Sequence, residues 1–221
     1  MSSPPVQPAY GPTLPEIAGP YWRRLPRWAR IALLVGAVLL VVAIVVVARR
    51  GAEPRDTIVV KSPLAFNLVY QADRLSRVAP LAGEELRLRS PAGTAAPALV
   101  TVRAVRLPPY SGDPAGTLPV FASGLITQMR RADPTFVLRS EGRARVNGQP
   151  GYQIQYQVTR NGQTVYGRRA LLFEDKPGVR DGADITLLAT RSPTIPNVDA
   201  VGSNGPTKLV YRSFRLGTER P

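Results

Sequence analysis

One long apolar stretch divides the chain. Residues 31–48 contain no polar side chain, and a helix of this length spans roughly 27 Å, close to the hydrocarbon core of a bilayer. The stretch is longer than the apolar region of a usual cleaved signal peptide, and 30 residues precede it. The sequence therefore predicts an uncleaved transmembrane helix at residues 31–48.

Basic and aromatic residues flank this stretch, as they do at the ends of many membrane helices. Four arginines precede it and three follow it, which favours a cytoplasmic N-terminus and a large domain on the outer side. The predicted anchor flanks are Arg23, Arg24, Arg27, Trp28, Arg30, Arg49 and Arg50.

The remaining segments differ in composition. Residues 1–30 form a proline-rich tail and basic flank, which we expect to be disordered with polyproline II character. Residues 49–56 are predicted as a linker, residues 57–217 as one soluble domain and residues 218–221 as a C-terminal tail. About 160 residues are enough to bury a core without disulfides or metals.

Strict alternation of apolar and polar residues marks a hairpin in the domain. Tyr152, Tyr156 and two aliphatic residues alternate with glutamines up to Asn161-Gly162, a dipeptide that favours a two-residue type I′ turn. This turn pairs Tyr156 with Gly167, so the ring can lie over the glycine.

Other alternating segments predict strands, and two segments have helical spacing. Strands are predicted at residues 66–70, 84–89, 98–106, 136–146, 163–173 and 184–190, and helices at about 118–131 and 207–214. Strands follow one another with few helices between them, which indicates an α+β fold with an antiparallel β-sheet packed with a few helices.

Composition excludes several chemistries. The chain has no cysteine and no histidine, so disulfides, thiol nucleophiles, His-based triads and His-based metal sites are absent. No glycine-rich phosphate loop is found, and no cofactor is predicted. The formal net charge is +14, nearly all from scattered arginine, which permits attraction to polyanions without indicating specific nucleic-acid binding.

Two groups of residues are candidates for chemistry. The densest acidic group could bind calcium from a loop, although its spacing matches no EF-hand; its members are Glu174, Asp175, Asp181 and Asp184. A second group could form a basic stripe, and its members are Arg143, Arg145, Arg160, Arg168 and Arg169; Arg143 and Arg145 share a sheet face, whereas Arg168 and Arg169 cannot.

The order of elements resembles PsbP-like and LpqN-like extracytoplasmic domains. The resemblance covers roughly Ile58–Leu216 and depends on Phe66-Asn-Leu-Val-Tyr70, the mid-chain helix, the Asn147-Gly-Gln-Pro-Gly-Tyr152 stretch before the hairpin, and a closing helix that ends in Ser213-Phe214. It implies a PsbP-like sandwich that acts as an accessory or binding factor. A transmembrane helix here replaces the lipid or the cleaved signal of those proteins.

These observations together predict a non-enzymatic, single-pass domain at the outer face of the cytoplasmic membrane. Its expected partner is an envelope protein or an anionic surface. Two alternatives remain open: a carrier of lipid or small apolar ligands, which requires a pocket between sheet and helix, and a hydrolase that uses only carboxylates.

Overall fold

The structure, a computed structural model, describes residues 26–50, 54–111, 114–174, 176 and 178–219. The chain divides into two units, Met1–Glu53 and Pro54–Pro221. In the first unit the described residues form one helix, α1 (Arg27–Arg50). Most of its described apolar side chains are exposed, for example Ile31 at 62% and Leu40 at 63%.

Within the part of the chain that the structure describes, none of the helices combines the length and apolar character that a bilayer crossing requires. The structure does confirm a helical backbone across residues 31–48, because α1 includes all of them. It does not support the prediction that this helix spans a membrane.

Antiparallel strands make up most of the second unit. The described residues form a three-stranded sheet in the order β1-β2-β10 and a seven-stranded sheet in the order β3-β4-β5-β9-β8-β7-β6. The strands are β1 (Arg55–Val60), β2 (Phe66–Gln71), β3 (Ser76–Arg77), β4 (Leu86–Arg89), β5 (Ala98–Arg106), β6 (Val137–Val146), β7 (Gln149–Arg160), β8 (Gln163–Phe173), β9 (Asp181–Thr190) and β10 (Arg215–Leu216).

Two hydrophobic cores lie on opposite faces of the large sheet. One contains Phe66 of the small sheet, Phe214 after the last helix, and Leu187 of β9. The other packs the helix α2 (Pro114–Ala132) against β7 and β8, with Ala122 and Ile154 among its buried residues. A short helix α3 (Thr207–Ser213) and a 3₁₀ turn at Val198–Ala200 contribute residues to the first of these two cores. The α+β prediction is therefore confirmed.

The predicted hairpin is present between β7 and β8. Asn161 and Gly162 have φ values of 50° and 75°, as a type I′ turn requires. Tyr156 pairs with Gly167, and a Cβ built on Gly167 would lie 2.3 Å from Cζ of Tyr156. The ring therefore occupies the space that any larger residue at position 167 would need.

Several predicted boundaries are wrong. The Asp181–Asp184 segment, interpreted as a loop, begins β9, where Gly182 fits against a neighbouring strand: a Cβ on Gly182 would lie 2.4 Å from the carbonyl oxygen of Leu172. Small residues carry no hydrophobic signal, so alternation did not reveal this pairing. The predicted linker contains the start of β1, and the second sheet was not predicted.

Candidate functional site

The acidic residues selected from the sequence do not converge. Asp181 and Asp184 both lie in β9, and because they are three residues apart they point to opposite sheet faces. Asp181 forms an ion pair of 3.2 Å with Arg106, in which both side chains are 65% exposed. Asp184 is buried and accepts hydrogen bonds from Arg169, with Nε at 2.9 Å.

Of the other two acidic candidates, only Glu174 is among the described residues. Glu174 accepts a hydrogen bond of 2.7 Å from Lys176 in an exposed turn, and Asp175 lies outside the described residues. Across the ranges that the structure describes, no group of three acidic side chains lies close enough to hold a metal. The proposed calcium loop is therefore not assembled by these residues.

The described members of the predicted anchor flanks lie at the two ends of α1. Arg23 and Arg24 fall outside the described residues. Arg27 and Trp28 begin the helix and are exposed, and the remaining three flanks belong to the helical backbone. Their role at a membrane remains a prediction.

The arginine pattern agrees with the sequence analysis in part. Arg143 and Arg145 alternate along β6 and share a face, whereas Arg168 and Arg169 are neighbours in β8 and face opposite sides of the sheet. Arg160 lies elsewhere, at the end of β7, and pairs with Asp133. No single basic stripe therefore joins the five arginines.

Arg168 was not recognised as a buried residue. It is 8% exposed, donates from Nη2 to the backbone oxygen of Asp199 at 3.0 Å, and lies 5.1 Å from the ring centroid of Tyr211. These contacts tie β8 to the 3₁₀ turn and to α3. A lone arginine in an alternating segment gives no sequence signal for this burial.

Strand β6 forms one edge of the large sheet. It has ten residues, most of them exposed, whereas the strand at the opposite edge has two residues. Its outer backbone groups have no neighbouring strand among the described residues. The exposed charged side chains of β6 are three arginines, Arg139, Arg143 and Arg145, and one acid, Glu141. This surface, residues 137–146, is referred to below as the β6 edge.

A pocket of about 190 Å³ lies between the C-terminal end of α2 and the sheet, and we refer to it as the helix–sheet pocket. Asp133 and Arg160 contribute its charged residues. The apolar lining includes Met129, Phe136, Tyr156, Val158, Val165 and Leu188. A pocket between sheet and helix, which the carrier alternative requires, is therefore present, but it is too small for a lipid chain.

Asp133 is held as a carboxylate at this pocket. Its Oδ1 accepts hydrogen bonds from the hydroxyl of Thr135 at 2.7 Å and from the backbone N–H of Thr135 at 2.9 Å. The hydroxyl bond, more than the nearby Arg160, keeps the pKa of Asp133 below its ordinary value, although burial opposes this effect. Asp133 consequently lacks a proton to donate near neutral pH.

Glu84 is a second buried acid that the sequence did not single out. Burial alone raises its pKa, but hydrogen bonds from the Leu81 N–H, from Arg87 and from Arg103 outweigh burial and keep the pKa below its ordinary value. The distances are 3.0 Å, 2.9 Å and 3.2 Å. These arginines neutralise the acid and join β4 to β5.

A second pocket, of about 270 Å³, lies among loops near the end of β4. Ser90, Thr94 and Ser192 line it together with Asp73. Two of these hydroxyls already make hydrogen bonds to the nearby backbone. Ser90 accepts from the Ala98 N–H at 3.0 Å, and Thr94 donates to the backbone oxygen of Pro91 at 2.7 Å. This arrangement presents no converging set of catalytic groups.

Comparison with solved structures identifies the fold. Residues of this chain superpose on cyanobacterial PsbP from Synechocystis with a TM-score of 0.52 and 13% identity, over 75% of this chain and 94% of that chain. LpqN of Mycobacterium tuberculosis, described as involved in cell envelope biogenesis, gives a TM-score of 0.48 and 16% identity over 76% and 94% of the two chains. No protein-family model and no curated protein sequence matches. The chain has the fold of a PsbP-like domain.

Proposed function

We propose that this chain is a non-enzymatic accessory domain that binds an acidic envelope protein through the β6 edge. The observation that carries the proposal is the long, exposed edge strand. Unpaired backbone N–H and C=O groups along such a strand accept an additional strand from a partner. LpqN, whose structure is similar, is described as involved in cell envelope biogenesis.

The charge of the β6 edge favours an acidic partner over a second copy. Antiparallel pairing of two β6 strands about Gly142 would place Arg139 of one copy opposite Arg145 of the other and Glu141 opposite Arg143, so the attractive pairs would only offset the repulsive ones. Like charges directly opposite destabilise a strand pair. A partner strand carrying aspartate or glutamate would instead gain charge-assisted contacts.

The buried carboxylates support a binding role rather than hydrolysis. Glu84, Asp133 and Asp184 each contact an arginine. Acid catalysis by a carboxyl group requires a raised pKa, whereas the pKa values of Glu84 and Asp133 are lowered. Each acid is better suited to holding the sheet together than to transferring a proton.

Placement at the outer face of the cytoplasmic membrane is part of the proposal, with residues 31–48 as a single-pass anchor and the N-terminus inside. Its support is the sequence: eighteen residues without a polar side chain and a larger number of arginines on the N-terminal side. Anchoring would hold the β6 edge within reach of envelope proteins.

Site-specific photo-crosslinking in cells tests the partner-binding proposal. A photoreactive residue at Val137, which is 43% exposed on the β6 edge, is expected to give a discrete crosslinked protein. The same residue at Lys208, exposed on α3, serves as the position control. The double variant Arg143→Glu/Arg145→Glu should reduce the crosslink about 5-fold or more, because a partner's carboxylates would be repelled.

A matched charge control accompanies this variant. Arg191→Glu/Arg212→Glu makes the same change in net charge at two exposed positions away from β6 and should leave the crosslink intact. The proposal fails if Val137 gives no product above the Lys208 level, or if both double variants lower the crosslink equally. Crosslinks to lipid alone would indicate an anionic surface instead of a protein.

A further inference from the structure

The helix–sheet pocket has the size of one ring-shaped group. Its volume is about 190 Å³, and an apolar protein cavity of about 150 Å³ is known to take up benzene. Met129, Val165 and Leu188 line it and are only partly buried, so solvent reaches the pocket. A small apolar group can therefore enter without any rearrangement of the fold.

Tyr156 brings a hydrogen-bond donor to this pocket. The residue is 6% exposed, and its hydroxyl makes no hydrogen bond within the described part of the chain. The ring crosses Gly167 and extends toward β9, where Leu188 lines the same pocket. Burial raises the pKa of Tyr156 to about 12, so the hydroxyl keeps its proton at physiological pH.

The ring of Tyr156 is held firmly in this position. Phe136 lies with its ring centroid 5.3 Å away, and Gly167 leaves no space beneath the ring. The donor is therefore fixed before any ligand arrives, which lowers the entropic cost of binding. The hydroxyl is not among the buried side-chain atoms that lack a partner, so solvent reaches it, and an acceptor on a ligand would replace a hydrogen bond to solvent.

The charges around the pocket cancel. Arg160 pairs with Asp133 at 2.7 Å, and Arg169 pairs with Asp184. These four groups are the charged neighbours that act on Tyr156. Because their sum is zero, an anionic or cationic ligand would lose hydration without gaining a counter-ion. A neutral ligand is therefore favoured.

We propose that the helix–sheet pocket binds a small, neutral, ring-sized compound that carries one hydrogen-bond acceptor, such as a carbonyl oxygen, which accepts from the Tyr156 hydroxyl. The apolar body contacts Phe136, Val158 and Leu188. This site is distinct from the β6 edge and does not depend on the protein partner proposed above.

Three probes of similar shape test the proposal on the purified full chain. Acetophenone has a ring and a carbonyl, α-methylstyrene replaces the carbonyl oxygen with carbon, and benzoate carries a charge. Titrations followed by amide and methyl NMR should show saturable binding of acetophenone, with shifts at Val165 and Leu188. α-Methylstyrene and benzoate should bind about 3- to 10-fold more weakly.

Two variants separate the hydrogen bond from the shape of the pocket. Tyr156→Phe removes only the hydroxyl and should lower the affinity for acetophenone about 3- to 10-fold while leaving that for α-methylstyrene unchanged. Since the hydroxyl has no protein partner, this variant should keep the stability of the parent chain. Ala132→Phe, at an exposed position of the lining, should obstruct the pocket and abolish binding of both neutral probes.

Defined results would overturn the proposal. Absence of saturable acetophenone binding, or shifts confined to other surfaces, would show that the pocket holds only water. Equal affinity for acetophenone and α-methylstyrene, or an unchanged affinity of Tyr156→Phe for acetophenone, would show that the Tyr156 hydroxyl does not contribute to binding. Preferential binding of benzoate would contradict the argument from charge.

Discussion

At the residue scale, Tyr156 and Gly167 depend on each other. The ring packs between Phe136 and the bare backbone of Gly167, and it also forms one wall of the helix–sheet pocket. The alternation of β7 and the two-residue turn were enough to predict this pair. The sequence could not show that α2 would end beside it, because that contact joins elements with no local relation.

Gly167→Ala should destabilise the second unit by about 1–3 kcal/mol, since its Cβ would lie 2.3 Å from Cζ of a buried ring that cannot move freely. Urea unfolding monitored by circular dichroism measures the change. Gly142→Ala, with no heavy atom within 4 Å of its Cβ, is the matched strand control and should stay within about 0.5 kcal/mol of the parent. Equal effects in the two variants would contradict the packing argument.

Glu84 predicts a pH dependence of stability. Because its folded-state pKa is lowered from 4.5, its contribution is present above that value and is lost as the pH falls through the folded-state pKa. Glu84→Gln should therefore lower stability at pH 7 by about 1–3 kcal/mol and flatten the decline between roughly pH 5 and pH 3. Unfolding curves across this pH range provide the measurement.

The exposed acid Glu174 supplies the control for this prediction. Its ion pair with Lys176 lies in water, where such pairs contribute little. Glu174→Gln should leave both the stability at pH 7 and the pH profile close to those of the parent. A Glu84→Gln profile parallel to that of the parent would show that this acid does not control the acid sensitivity.

At the element scale, the hairpin was the most predictable part and β9 the least. Asn-Gly between alternating segments specifies both turn and register through local geometry. The first three residues of β9 lack such a signal. All three pair with β5, and Gly182 and Ala183 also pair with β8. At Gly182 this pairing depends on a close approach that only a small residue allows. Because β9 begins three residues earlier than predicted, Asp181 lies in a strand and the acidic residues do not form a loop site.

The hairpin turn can be tested directly. Gly162→Ala places a Cβ at φ of 75° and should cost about 1 kcal/mol, because left-handed backbone is unfavourable for residues other than glycine. Asn161→Gly keeps the turn accessible and should be nearly neutral. Equilibrium unfolding of both variants checks this. A loss of stability for Asn161→Gly larger than that for Gly162→Ala would indicate a different turn.

At the scale of the whole molecule, the two units support different kinds of inference. Residues Pro54–Pro221 contain both cores, so the position of the β6 edge and of the helix–sheet pocket follows from the fold. The proposed membrane anchor rests only on the sequence of residues 31–48, because the described residues include no helix that qualifies as a span. Topology therefore needs an experiment of its own.

The absence of cysteine makes that experiment simple. Single variants Ser2→Cys and Lys208→Cys are treated in intact cells with a membrane-impermeant maleimide. The proposed topology predicts labelling at position 208 and protection at position 2 until the membrane is opened. The full chain should also stay with membranes after alkaline carbonate extraction. Labelling at position 2 alone would reverse the orientation, and carbonate release would rule out an integral anchor.

Local sequence patterns were enough to predict the features that depend on neighbouring residues: the hairpin, the helix before Asp133-Pro134, the alternation of most strands, and the separation of Arg168 from Arg169. Periodicity and turn chemistry act over a few residues, so they can be recognised in the chain alone. The same is true of the apolar character of residues 31–48 and of the absence of histidine and cysteine.

The tertiary structure decided which distant residues meet. It paired Glu84 with Arg103, separated Asp181 from Asp184, left β6 at an edge and enclosed Tyr156 beneath the end of α2. These outcomes depend on strand order and on how helices pack on the sheet. Both are set by the burial of whole faces, and no short segment of the sequence contains that information.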